Sequence, residues 1–254
     1  MTRIIAIMNQ KGGVGKTTTT INLGHALALA GKNVTLLDMD PQSQLATAYG
    51  IEASSPGLDE VLLDQIHLDE LVHQTKDNIN IVPAGKRLSD FEHVTAGGSE
   101  RAYTLHKAIA VSSLAEQDFV LIDCPPSSGL LGMNAMFAAT EVLIPISSDY
   151  LSLHGLSRMI QILKRSESFT GRTVKLWLVT TRMQLRRRLA QEVRNKVLKY
   201  FPGRVLNTVI RENVSLAESP SFGQTIFEYK NTSAGAEDYL ALAQDLLQGR
   251  TANG

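Results

Sequence analysis

Lys11-Gly12-Gly13-Val14-Gly15-Lys16-Thr17-Thr18 follows the apolar run Ile4-Ile5-Ala6-Ile7-Met8 after Asn9-Gln10 and directly precedes a helical stretch, Thr19 to Ala30. A strand that breaks into a glycine-rich turn and restarts as a helix leaves unpaired amides at the helix N-terminus, where they and the helix dipole favour an anion. Small residues in the turn let the backbone approach phosphates closely. The order strand, loop, helix therefore implies a nucleoside triphosphate site and the first unit of an α/β fold.

Within this loop Lys16 is expected at the β- and γ-phosphates, the Thr17 hydroxyl on Mg²⁺, and Thr18 at the α-phosphate, because hydroxyl and carboxylate oxygens suit a hard cation. Gly12, Gly13, Val14 and Gly15 supply the backbone cradle. The spacing departs from the common G-x-x-x-x-G-K-[ST] pattern: the first glycine is replaced by Gln10, and an additional lysine, Lys11, stands inside the loop. Two further apolar runs end in acids. Phe119-Val120-Leu121-Ile122-Asp123 places a carboxylate where it can hold Mg²⁺ through water, a Walker B element. Leu36-Leu37 leads into Asp38-Met39-Asp40-Pro41-Gln42.

Short continuous apolar runs recur along the chain, at 4–8, 34–37, 79–82, 119–122, 142–146, 176–179 and 205–210. Continuous rather than alternating runs suit strands covered on both faces, which predicts an α/β layered fold with a mostly parallel central sheet flanked by helices; with the loop above, this resembles a P-loop NTPase fold. Helices are predicted near 16–30, 101–114, 129–138, 152–167, 187–200 and 233–248. Between 50 and 100 the patterns are weak, with a break at Gly97-Gly98. Nothing in 254 residues reads as a linker, so one domain over 1–254 is expected, with no helix-turn-helix added before the first strand.

The single cysteine, Cys124, excludes a disulfide framework and fits a reducing cytoplasm. No signal-peptide pattern or membrane-length apolar run is present, and the six histidines lack zinc-ligand spacing. Formal net charge is zero, yet residues 164–204 hold 12 Lys or Arg against 2 acids, leaving 13 and 23 elsewhere. A neutral chain with one strongly basic segment presents a footprint for a polyanion.

The loop with its extra lysine, the D-x-D-P-Q segment and the Walker B strand together resemble the ParA/MinD group of P-loop ATPases with a deviant Walker A loop. Asn207-Thr208-Val209-Ile210, Asn213, Glu218-Ser219-Pro220-Ser221-Phe222-Gly223 and Gly235-Ala236 extend the similarity to the small ParA/Soj-type partition ATPases over nearly the whole chain. The resemblance implies that Lys11 reaches across a dimer interface to the other subunit's phosphates. It implies that Asp40 orients the attacking water, Asp38 supports the loop, Pro125-Pro126-Ser127-Ser128-Gly129 forms a γ-phosphate-sensing switch, and Asn213 lies near adenine. Arg211 stands where the group usually has proline.

Members of the group differ in partner. Partition ATPases bind nonspecific DNA as ATP homodimers and hydrolyse ATP slowly until an adaptor, ParB-like or cargo-borne, stimulates them. MinD-like relatives act through protein partners or membrane, and iron-protein-like reductases need two cysteines per subunit. One cysteine excludes the last, and the tail 240–254 lacks the basic face that membrane adsorption requires, so membrane binding is not expected. Arg186 falls where the group uses an arginine for DNA, while a second such position is occupied by Ser215. A helix begun at Arg187 puts Leu189, Ala190, Val193, Val197 and Phe201 on one face and Arg187, Arg188, Arg194, Asn195 and Lys199 on the other. The expectation is an ATP- and Mg²⁺-dependent, DNA-binding ATPase that positions a plasmid, chromosome, carboxysome or other cargo in a nucleoid-associated cytoplasmic setting. The alternative is a MinD-like spatial regulator.

Overall fold

The computed structural model describes all residues except 53, 54, 76, 77, 95–97, 128, 150, 253 and 254, and describes no side chain at 98, 99 and 151–154. Gly97 and Ser128 of the sequence expectations, and the last two tail residues, lie outside the described residues. The chain runs through β1 (Arg3–Ile7), α1 (Lys16–Leu29), β2 (Val34–Asp38), α2 (Gln44–Ala48), α3 (Leu58–Asp64), β3 (His73–Gln74), β4 (Ile79–Val82), α4 (Leu88–Phe91) and α5 (Thr104–Ala110). It continues with β5 (Phe119–Asp123), α6 (Leu130–Ala138), β6 (Glu141–Ser147), α7 (Leu151–Thr170), β7 (Lys175–Met183), α8 (Arg188–Tyr200), β8 (Val205–Arg211), α9 (Val214–Glu218), α10 (Ile226–Lys230) and α11 (Ala234–Gln248).

The strands form an eight-stranded sheet in the order β3-β4-β2-β5-β1-β6-β7-β8. All neighbours are parallel except the β3 edge, which runs antiparallel to β4. The continuous apolar runs have the expected cause: β1 sends Ile5 and Ile7 into one core and Ala6 into the other. On the first face α1 and α11 cover Leu36, Trp177 and Val179 through Leu23, Leu27, Tyr239 and Leu242. On the second, α3, α5, α6 and α7 pack over Leu37, Val120, Ile122 and Ile144. The central strands β2, β5 and β6, buried at every position, are thus a middle layer covered on both faces.

Two differences from the sequence reading matter for function. β7 does not stop at Val179 but continues to Met183, because Thr180 and Thr181 still pair with Ile146 and Ser147 of β6. Polar residues extend the strand, and the apolar run marks only its core-facing part. In α8 the buried stripe is Ala190, Val193 and Val197, whereas Leu189 is 38% exposed. Leu189 sits one position off the stripe, in the first turn, and is only partly covered.

β1 lies between β5 and β6, so the connections leaving its carboxyl end and its neighbours' diverge to opposite sides of the sheet. A crevice opens at this switch point, the place where parallel sheets bind ligands.

Candidate nucleotide site

The loop leaving β1 turns at Gly13 and Gly15, whose φ values of +71° and +88° lie in the left-handed region that penalises any Cβ. Gly15 is the N-cap of α1 and supplies no side-chain cap, so the first-turn amides are placed to bind an anion. The loop is tied from β7: the Thr181 hydroxyl donates to the Val14 carbonyl at 2.8 Å and the Arg182 guanidinium to the Gly13 carbonyl at 3.1 Å. Lys16 is 7% exposed at the head of the helix. Gly12, Gly13, Gly15, Lys16, Thr17 and Thr18 line a cleft of about 590 Å³, large enough for a nucleotide, while Val14 is buried beneath it.

At the floor the Thr17 hydroxyl donates to one oxygen of Asp123 at 2.6 Å, and the Thr20 hydroxyl to the other at 3.2 Å. Asp123 ends β5 in register with Asp38, which ends β2. Burial pushes the Asp123 carboxyl up to about 7, with Asp40's charge adding to the effect and Thr17 and Lys16 opposing it. Burial, together with the Asp123 charge, also raises Asp38 well above the usual carboxylate range, although Asp38 accepts the Asp40 and Ala46 amides. Two adjacent buried carboxyls and a hydroxyl form an all-oxygen donor set that a hard cation would hold ionised. Among the described residues no group of three His, Cys, Asp or Glu converges as a metal cage. A cation held here would take the rest of its shell from phosphate and water, the habit of Mg²⁺.

Asp40 is half-exposed at the cleft wall, its carboxylate accepting the Gln42 amide at 3.1 Å. Pro126 of the switch-like segment also lines the cleft. Behind it Glu92 accepts the Leu130 and Leu131 amides and the Ser127 hydroxyl, capping α6 with a carboxylate. At the far end Asn213 caps α9 by accepting the Leu216 amide and lines the cleft together with Arg211 and the buried Tyr239. Arg211 does not reach freely into the cleft: its guanidinium donates to Asp238, Glu237 and the Ala234 carbonyl, tying β8 to the start of α11.

Lys11 is directed away from its own cleft. Its ammonium pairs with Asp149 beyond β6, in an adjoining depression also lined by Arg182, Arg187 and Glu212. Arg186, Arg187 and Arg188 are exposed at the junction of β7 and α8, and Arg188 forms an i,i+4 pair with Glu192. Arg194 differs from the expectation of a water-facing cation. It is half-buried and donates to the Asn207 carbonyl on β8, because α8 lies against that edge.

Sequence reading did not single out Thr181, Arg182, Thr20 or Asp149. Thr181 and Arg182 lie past the apolar run that signalled β7, and Asp149 follows Ser147-Ser148 with no pattern around it. Thr20 alone had a signal, being one turn after Lys16 on the same helix face.

The sequence profile of the AAA domain family matches residues 2–175. The chain is 38% identical over 249 residues to the chromosome-partitioning ATPase Soj of Treponema pallidum, covering 97% of this chain and 98% of that protein. It is 38% identical over 253 residues to the chromosome partitioning protein ParA of Myxococcus xanthus, covering 98% and 89% respectively. In three dimensions it is similar to cobyrinic acid a,c-diamide synthase of Mycobacterium smegmatis, solved with a bound ATP analog and magnesium: TM-score 0.84, 29% identity, with 98% of this chain and 95% of that one covered.

Proposed function

This chain belongs to the Soj/ParA family of P-loop ATPases, and from that premise we propose that it is an ATP- and Mg²⁺-dependent dimerising ATPase that binds DNA without sequence preference. The whole of 1–254 acts as one ATPase domain, because β8, α9 and α11 supply the far wall of the cleft that the loop after β1 opens. Lys16 and the free amides of α1 hold the β- and γ-phosphates. The Thr17 hydroxyl and the Asp123 carboxylate, joined at 2.6 Å, would hold Mg²⁺, Asp123 through water, and the bound cation would supply charge neutralisation to the phosphates. Asp40, on the wall near the loop, positions the attacking water, and Asn213 stands at the base.

Phosphoryl transfer depends on positioning and charge neutralisation. One subunit supplies Lys16 as its buried loop cation while Lys11 faces outward, so hydrolysis by a lone subunit is slow. A second copy adds its Lys11, and an adaptor of the ParB kind, or one carried by the cargo, completes the arrangement and stimulates turnover. The cargo would be a plasmid, chromosome, carboxysome or other large assembly, carried on the nucleoid. None of the helices among the described residues is long and apolar enough to cross a membrane. The last helix, α11, packs its apolar stripe on the core and carries no basic residue in its last turn, which leaves the membrane reading without support.

The observation that carries the DNA reading is the run Arg186 to Arg188, exposed at the start of α8 with Arg187 beside the depression that holds Lys11. Phosphate contacts from such a run give affinity independent of base sequence. Titration of a labelled random-sequence duplex with ATP present tests it. The triple alanine variant at 186–188 is expected to bind at least about tenfold more weakly while still dimerising with ATP. Equal binding by the variant, or none by the parent, would leave the protein-partner reading in its place.

A further inference from the structure

Arg182, next to Thr181 at the end of β7, touches the nucleotide loop with its side chain and leads with its main chain into the arginine run. Its backbone has φ +50°, a left-handed conformation unfavourable for a long side chain, at the point where β7 turns toward α8. Contacts on three sides hold it there. One guanidinium nitrogen donates to the Gly13 carbonyl at 3.1 Å, and the other lies 3.6 Å from Glu212. The Ser148 hydroxyl donates to the Arg182 carbonyl at 3.1 Å. Glu212 in turn accepts from the Gln184 side-chain amide, and its own amide donates to the Met183 carbonyl. Gln184 then starts the turn, accepting the Arg187 amide at 2.9 Å. A continuous path therefore runs from the loop carbonyl through Arg182 and Glu212 to the turn that presents residues 186–188.

The geometry points to Arg182 as a positioning residue that sets the conformation of segment 184–188 according to what the loop holds. Arg182 lines both the nucleotide cleft and the depression containing Lys11 and Arg187. A triphosphate beside it brings several negative charges to a guanidinium whose existing partners are a neutral carbonyl and an exposed carboxylate 3.6 Å away. An exposed pair of that length is weak, so it yields readily to a stronger anion. Any shift of the side chain acts on a main chain already held in a costly conformation, and the next residues to respond are those of the turn. Two arrangements of a strained peptide, biased by a ligand, are what coupling between sites requires. The consequence for DNA rests on the reading of 186–188 given above; the coupling itself does not.

Hydrogen exchange of the 184–188 amides, measured by mass spectrometry with ADP and with ATP at saturation established by titration for each protein, reads the coupling without DNA. In the parent the exchange rates are expected to differ several-fold between the two nucleotides. In Arg182→Lys, whose single ammonium cannot span the Gly13 carbonyl and Glu212, and in Glu212→Ala, which removes the acceptor shared by Arg182 and Gln184, that ratio is expected to fall to unity. A purely structural role would change exchange equally in both nucleotide states and leave the ratio intact. A parent with no nucleotide dependence, variants that keep the parent ratio, or variants that no longer bind ATP would each overturn the proposal. A parent that shows the ratio but binds no DNA would overturn only the DNA reading.

Discussion

Asp40 and Lys11 carry the two proposed roles that lie outside the hydrogen bonds joining Thr17, Thr20 and Asp123. Asp40 acts on Asp123 through its charge, and among the described residues its carboxylate accepts the Gln42 amide without entering the hydrogen bonds of Thr17 and Thr20 to Asp123. As the water-positioning group, Asp40→Ala is expected to bind ATP, hydrolyse it on the order of 10²-fold more slowly, and accumulate dimer with ATP, read by light scattering alongside phosphate release. Hydrolysis at the parent rate would remove Asp40 from the mechanism. Lys11 pairs with Asp149 at the surface and contributes nothing to its own cleft wall. Lys11→Ala is therefore expected to retain measurable ATP binding and lose ATP-dependent dimers, whereas Lys16→Ala should lose nucleotide affinity itself. Sedimentation with and without ATP separates the two, and parent-like dimers from the Lys11 variant would end the cross-subunit role.

Where strands meet at the opposite, amino-terminal end of the sheet, one buried carboxylate ties three of them together. Glu141 at the start of β6 accepts from the Arg3 guanidinium of β1, at 2.8 Å for one of two bonds, and from the Trp177 indole of β7. Burial alone would raise the Glu141 carboxyl, but the Arg3 and Trp177 hydrogen bonds and the charges of Arg3 and Lys175 outweigh it and hold it below the usual range. A depressed folded-state value means the contribution is present above the unfolded pKa and is lost as pH falls through the folded one. Glu141→Gln is expected to cost about 2 kcal/mol near neutral pH, with the difference from the parent shrinking as pH drops below the ordinary glutamate range. Urea melts at several pH values check this; a pH-independent difference would show that packing, and not the charge, carries the effect.

At the level of the assembled protein, charge distribution governs behaviour that net charge conceals. In the proposed ATP dimer the arginine run would be present twice, so the slope of log affinity against log salt is expected to be steeper with ATP than with ADP, by about 0.9 for each added phosphate contact. Equal slopes would mean that the dimer does not present both runs to one duplex.

The phosphate-binding unit was legible in residues 4–30 because its parts are adjacent: an apolar run, a turn that demands glycine, and a helix whose first amides must stay free are all local requirements. The layered sheet was legible for a related reason, since strands buried on both faces must be apolar at every position, and each run announced itself without its neighbours. Asp123 and Asp40 could be read as carboxylates ending such runs. The effect of Asp40 on Asp123 could not, because a carboxyl pushed up to about 7 by burial, with a second acid nearby, reflects chain segments some eighty residues apart. The pairing of Lys11 with Asp149, the Thr181 and Arg182 bonds to loop carbonyls, and the docking of Arg194 on β8 likewise join segments distant in sequence. None has a local pattern, because a long polar side chain satisfies its charge with whatever partner the packed strands bring within reach. Local sequence thus specified which elements form and which turn must hold an anion; the register of β7 beside β6 and the wrapping of α8 onto β8 settled which side chains support that turn and which face outward.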